Sequence, residues 1–293
     1  MLKSQFVKAL ALSMGMLIGL FSIPSDAADK IRFAVTDIEG LEQLQQEFGA
    51  MEKVLEKSTG MDVELFPVNS RTAAVEAMNS GMVDFVLTGP AEYVVIKELA
   101  DPRIVVGWQR PDYFAQIVVI AGGDIKSVSD LKGKKVSFGS VGSTSQHLGP
   151  AQALADLGMN YDKDYKAEII KRNIAIEALL RGDIAGIGMN FGHLVKARKA
   201  YPNVAFTVVA RGRDLPNDIL VANKSVSDKI FNAVKKAFTD DGEALMQAVL
   251  KGDDNAKYKG GFFLSSIDDG DYDYVRSMYR TIGVNGFSKF VGN

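Results

Sequence analysis

The chain has 293 residues, with 34 Lys and Arg against 36 Asp and Glu, 2 His and no Cys. At about 150 residues per domain, that length gives one large domain or two modest ones. A net charge of −2 argues against a general nucleic-acid binder, zero Cys removes disulfides and thiol chemistry, and two His leave little for a metal centre, so neither metal nor cofactor is expected.

Residues 1–28 read as a secretory signal peptide. Lys3 and Lys8 give a positive start, Ala9 to Ile23 is almost entirely apolar or small, and Pro24 breaks the run. Ser25-Asp26-Ala27 then supplies a small-x-small cleavage pattern, with cutting expected after Ala27 or Ala28. A single membrane anchor is the alternative, but the run is short for a span of about 20 residues. No Cys follows it, which excludes a lipid anchor. The mature protein is expected to be soluble and exported to the periplasm.

The next seventy residues alternate strand and helix. Ile31 to Val35 reads as a buried strand, and Leu41, Leu44, Phe48, Met51 and Leu55 recur at helical spacing until Gly60. Val63 to Val68 is a second strand, and Ser70 a candidate N-cap for a helix over Arg71 to Asn79. Val83 to Leu87 is a third strand, with a helix from Ala91. Such alternation predicts βαβ units and a parallel sheet, an α/β fold. After apolar stretches at Arg103–Trp108 and Ala115–Ala121, a second series follows. It places strands at Lys135–Phe138, Glu168–Ile170, Ile184–Gly188 and Ala205–Ala210, with helices at Gly149–Leu157 and Ile174–Leu180. The last third reads as helices over Val226–Phe238, Gly242–Leu250 and Tyr272–Thr281. Two α/β series and a helical tail predict two lobes: 29–117 plus 219–293, and 118–218. Crossovers are expected near Ala115–Ile120 and Arg211–Ile219, with the tail packed back on the first lobe.

Chemistry concentrates in Lys134 to His147, where a strand runs into a Gly- and hydroxyl-rich turn and then a helix. Amides at a helix start are unsatisfied and carry partial positive charge, glycines admit close approach, and Ser143, Thr144 and Ser145 add donors: an anion cradle. A polar capping turn is the plainer reading. Pro150 requires that it lie in the first helical turn, or that the triplet form a loop ahead of the helix. No Lys follows Gly142, so this is not a Walker loop, and the spacing fails both G-x-G-x-x-G and G-x-S-x-G. At Thr88-Gly89-Pro90 a second strand-to-helix turn puts Tyr93 near the carboxyl end of a strand, where open α/β sheets bind ligands. Asp218 lies at the return crossover. A carboxylate beside an anion site fits a protonated oxyanion, whose P–OH it accepts; a hinge residue is the alternative. Arg172 is a bidentate anion partner or a solvated charge, and His147 is the better placed of the two histidines.

These segments resemble the periplasmic substrate-binding proteins of phosphate, phosphite and phosphonate ABC transporters. The resemblance rests on Leu55 to Gly60, on Gly81-Met82-Val83-Asp84 leading into Gly89 to Tyr93, on Gly142 to Ser145 and on Pro216-Asn217-Asp218, with the more widely shared Ser129 to Val136. It implies the type II two-lobe fold, hinged about a central ligand cleft. It also implies capture without catalysis, a small phosphorus oxyanion as ligand, an inner-membrane permease as partner and a monomer. Ser143, Thr144, Ser145, Tyr93 and Asp218 match the family's ligand positions. Arg172 stands where some members have His, and Phe48 where some have Tyr. No carboxylate stands near Phe191 to His193, where binders of aminoalkyl phosphonates place one. A smaller, less polar site is therefore expected, suited to phosphite or methylphosphonate, with phosphate also possible. A sensor subunit for a receptor kinase is the alternative. An exported hydrolase is a remoter one, since only His147 is placed to activate Ser143 or Ser145.

Overall fold

The computed structural model describes residues 29–36, 38 and 40–289; the expected signal peptide, 1–28, lies outside them. The first lobe is built from β1 (Lys30–Val35), α1 (Leu41–Thr59), β2 (Asp62–Leu65), α2 (Arg71–Asn79), β3 (Phe85–Thr88), α3 (Pro90–Ala100) and β4 (Arg103–Trp108). The chain then crosses into β5 (Phe114–Ile120), β6 (Lys135–Phe138), α4 (Gly149–Ala155), β7 (Lys166–Ile169), α5 (Arg172–Arg181), β8 (Gly186–Asn190), α6 (Phe191–Ala200) and β9 (Phe206–Asp214). It returns through β10 (Asp218–Ala222), α7 (Asp228–Asp240), α8 (Gly242–Val249), β11 (Phe263–Leu264) and α9 (Asp273–Thr281).

Two mixed sheets result, ordered β11-β4-β10-β3-β1-β2 and β7-β6-β8-β5-β9. β1 runs parallel to β2 and β3, and β6 parallel to β7 and β8, as the βαβ alternation requires. The returning β10 inserts antiparallel between β3 and β4, while β5 lies antiparallel between β8 and β9. Each chain crossing therefore ends in the middle of a sheet, where it is held on both sides.

Both faces of each sheet are covered, which is why the strands read as apolar runs rather than alternating ones. Along β10, Leu220 and Ala222 join a core with α1, α7 and α8, whereas Ile219 and Val221 join another with α2, α3 and α9. β5 divides in the same way, Val118 toward α5 and α6 and Ile117 and Val119 toward α4. Period-2 side-chain alternation thus feeds two cores per sheet. The local signals act as expected. Ser70 accepts from the Ala73 amide at 3.1 Å, and Gly60 closes α1 at φ 71° with its amide on Glu56 O. No helix among the described residues is long and apolar enough to cross a membrane.

The crossovers fall at residues 109–113 and 215–217, earlier than expected at the first and more tightly bounded at the second. β5 already pairs in the second sheet from Phe114, and Asp218 pairs with Trp108 in the first. Residues 114–117 therefore lie in the second sheet and Asp218 in the first. The first crossover is the polar, proline-bearing run Gln109-Arg110-Pro111-Asp112-Tyr113, and the apolar run from Ala115 is the strand that follows it. The two segments are tied to each other, Leu215 N to Tyr113 O at 2.8 Å and Arg110 N to Asn217 Oδ1 at 3.0 Å. The tail returns to the first lobe, but α9 also reaches the second: Thr281 Oγ1 donates to Gln152 Oε1 of α4 at 2.6 Å.

Candidate functional site: an anion cradle between the lobes

Ser143, Thr144 and Ser145 open a single wide π-helical turn, Thr144–Leu148, which runs directly into α4. Leu148 N bonds back to Ser143 O, and Gly142 adopts φ 75°, which a side chain would strain. Pro150 falls in the first turn of α4, where its missing N–H costs nothing, and its ring seats on Gly188 of β8. Both geometries that the proline allowed are thus combined: an irregular turn first, then the α-helix. The amides of Thr144, Ser145 and Gln146 lie in the first turn and have no acceptor one turn back. All three hydroxyl residues are buried.

The facing wall comes from the first lobe. Thr88 ends β3 and α3 begins at Pro90, so Gly89 and the amide of Ala91 face the second lobe. Ala91 N donates to Thr144 Oγ1 at 3.0 Å, a direct bond across the cleft. Behind Gly89, Arg71 Nε and Glu92 Oε1 form a buried ion pair at 2.7 Å. Thr36 Oγ1 donates to Thr88 Oγ1 at 3.3 Å beside it.

Asp218 begins β10 with its carboxylate in that space. Arg110 Nη1 reaches Oδ1 at 3.2 Å, and the Tyr258 hydroxyl donates to Oδ2 at 2.7 Å. Oδ1 also faces Gly89, 3.9 Å from where a Cβ would stand. Burial works against the Arg110 charge, but Asp218 outweighs it and holds the guanidinium pKa above its ordinary value. The same guanidinium lies 3.7 Å from the Tyr113 ring centre. Burial pushes the Tyr113 phenol up to about 12, against the lowering effect of Arg110 and Ser145, so it stays neutral. Asn190 Nδ2 donates to Ser145 Oγ at 3.0 Å from the end of β8. Arg172, the first residue of α5, donates through Nη1 to His193 Nε2 at 2.6 Å and touches Gln146 Oε1 at 3.5 Å.

The structure therefore brings Ser143, Thr144, Ser145 and Asp218 together, with Arg172 at their edge. The other three expected residues turn elsewhere. Tyr93 is fully buried, and its hydroxyl donates to Asp269 at 2.9 Å while its ring packs on Tyr272. Its phenol is thus directed at the C-terminal segment. Phe48 faces Trp108 inside the first-lobe core, at 6.4 Å between ring centres. His147 accepts from Gly142 N at Nδ1 and meets the Tyr161 hydroxyl at Nε2, at 3.1 and 2.9 Å. Both of its nitrogens are occupied inside the second lobe, so the ring braces the Gly142 turn. Sequence reading missed Arg110, Tyr113, Asn190 and Tyr258. Asn190 was findable as a helix N-cap at a strand end; it accepts from His193 N at 2.8 Å. Tyr258 meets Asp218 across 40 positions of sequence, and no local spacing announces that.

A family model described as the periplasmic substrate-binding protein of phosphonate ABC transporters matches residues 33–260. A Mycolicibacterium smegmatis phosphate-import protein, PhnD, is 31% identical over 138 residues. That match spans less than half of either protein, 45% of this chain and 43% of the relative. Among solved structures, a binding-protein component of an ABC phosphonate transporter from Pseudomonas aeruginosa aligns with TM-score 0.65 at 18% identity, covering 86% of this chain and 85% of that one. PhnD1 from Prochlorococcus marinus, solved with methylphosphonate, aligns with TM-score 0.62 at 18% identity, covering 87% and 98%.

Proposed function

The chain belongs to the family of periplasmic substrate-binding proteins of phosphonate ABC transporters, and from that membership we propose that it captures one small phosphorus oxyanion between its lobes and delivers it to a membrane permease. The observation that carries the reading is the pairing of opposite walls. The Thr144, Ser145 and Gln146 amides at the start of the turn, with the buried hydroxyls of Ser143, Thr144 and Ser145, meet the Gly89 turn through Ala91 N on Thr144 Oγ1, and Asp218, paired with Arg110, stands beside Gly89. The amides and the guanidinium meet the charged oxygens, and Asp218 Oδ1 accepts a hydrogen bond from the remaining P–OH. A carboxylate in this position selects monoprotonated anions. Phosphite and methylphosphonate fit, phosphate fits with one more hydroxyl to place, and sulfate brings unprotonated charge to Asp218. The bond from Ala91 N to Thr144 Oγ1 forms only when the walls meet, so ligand and latch favour the same closed state. No bond is made or broken in the ligand, and the closed face is what the permease receives. A 31% identical relative named for phosphate import keeps phosphate in the test panel.

Thermal denaturation with each anion tests the reading. A ligand at 100 times its Kd adds about 2.7 kcal/mol of stability. Stabilisation by phosphite or methylphosphonate, and none by sulfate, supports it; no shift with any phosphorus oxyanion overturns it.

A further inference from the structure

The buried cations at this cleft are not alike. Arg71 is matched by Glu92 at 2.7 Å, and Arg110 by Asp218 at 3.2 Å. Arg172 is half-buried, and its bonded partners among the described residues are neutral: His193 Nε2 and the Gln146 side-chain oxygen, both reached by Nη1. A guanidinium withdrawn from water without a carboxylate is costly, and it is stabilised when an anion occupies its fork. Nε and Nη2 of Arg172 remain to form that fork.

His193 fixes where the fork points. Because Nε2 accepts from Arg172, the imidazole carries its proton on Nδ1 and is neutral. Burial and the charges of Arg172, Arg110, Lys196 and Lys257 hold its pKa down to about 3, so the acceptor persists throughout the neutral range. The Arg172–His193 pair is one residue layer from the cradle: His193 N bonds Asn190 Oδ1, and Asn190 Nδ2 bonds Ser145 Oγ.

Resting on the oxyanion reading above, we propose that Arg172, positioned by His193, forms a second anion subsite for a carboxylate carried on the substituent of a phosphonate, so that short phosphonocarboxylates are preferred ligands. An ammonium substituent would meet the Arg172 charge with no carboxylate partner at Phe191, Gly192 or His193.

Calorimetric titration of the full exported chain with phosphonoacetate, 3-phosphonopropionate, methylphosphonate and 2-aminoethylphosphonate tests this. One of the two phosphonocarboxylates is expected to bind about tenfold or more tighter than methylphosphonate, the scale of one charge-assisted hydrogen bond. Arg172→Gln removes that advantage, weakening the phosphonocarboxylate about tenfold more than methylphosphonate, and Arg172→Lys, which keeps the charge without the fork, restores part of it. His193→Gln, with an acceptor retained near Nε2, preserves more of the advantage than His193→Leu. Equal weakening of both ligand types by Arg172→Gln overturns the proposal, since Arg172 then serves the phosphorus group. So does a wild type that binds methylphosphonate or 2-aminoethylphosphonate best. Binding of none of these compounds, nor of phosphite or phosphate, overturns the oxyanion reading itself.

Discussion

Arg110 on the first crossover and Asp218, which opens β10 just past the second, stand 108 residues apart in sequence, and their side chains meet at 3.2 Å. The ion pair therefore ties the first crossover to the strand that follows the second, beside the Gly89 turn. Its partners Tyr113 and Tyr258 close it from water on both sides.

Asp218→Asn should act on stability and selectivity together. It leaves Arg110 buried without its counter-charge, a loss of about 3–5 kcal/mol for breaking such a pair. It also removes the repulsion that an unprotonated tetrahedral anion meets. Titration of the folded variant should show weaker phosphite and measurable sulfate. Sulfate excluded as completely as from the wild type would remove Asp218 from the selectivity account.

Thr144→Val tests the latch. The closed state would bury the Ala91 amide without an acceptor, which costs about 1–3 kcal/mol. Affinity should fall roughly 5- to 150-fold, and Thr144→Ser should retain it. Small-angle scattering at fixed ligand concentration should show a larger mean radius of gyration for Thr144→Val. Affinity within twofold of wild type would show that the cross-cleft bond contributes nothing to closure.

Tyr93→Phe separates packing from binding. The phenol donates to Asp269, whose carboxylate is also held by Arg276 at 2.6 Å. Denaturant titration should report a loss of about 0.5–1.5 kcal/mol, the net value of one hydrogen bond. Ligand affinity should stay within twofold. A large loss of affinity with unchanged stability would place the phenol on the ligand instead.

The histidines set an acid limit. Burial depresses His147 from 6.5 to about 4, so between those values the unfolded chain binds more protons than the folded one. Stability is then complete above pH 6.5 and falls as pH drops through the window, by about 1.4 kcal/mol per pH unit for each such histidine. His193 adds to the same slope. In His147→Asn, where the amide oxygen can replace Nδ1 as acceptor for Gly142 N, chemical denaturation between pH 4 and 6.5 should show a shallower dependence. An unchanged slope would assign the acid sensitivity to other groups.

Much of the fold was legible because its signals are local. Gly60 and Ser70 mark helix ends through backbone conformation and a single side-chain bond, and apolar runs mark strands covered on both faces. The hydroxyl triplet at a strand-to-helix turn was legible for the same reason, since free amides follow from being at a helix start. The first crossover was expected on the run from Ala115, although the turn signal lies just ahead of it in the polar Gln109-Arg110-Pro111-Asp112. Tyr93, Phe48 and His147 were of the right residue types near the right turns, but the direction of a side chain depends on what arrives from elsewhere. Asp269 draws the Tyr93 hydroxyl from 176 positions away. The charge balance of the cleft was hidden in the same way, because Arg110 with Asp218 and Arg71 with Glu92 become pairs only after folding.

The central claim is most directly tested by calorimetric titration of the exported chain at neutral pH with phosphite, methylphosphonate, phosphate and sulfate, beside a Ser143→Ala variant. The account predicts tight binding of a monoprotonated phosphorus oxyanion, with sulfate silent. It also predicts a loss of about 1.5–3 kcal/mol in the variant, the value of a hydrogen bond to a charged group. Sulfate binding as tightly as phosphite, or a Ser143→Ala variant indistinguishable from wild type, would contradict it.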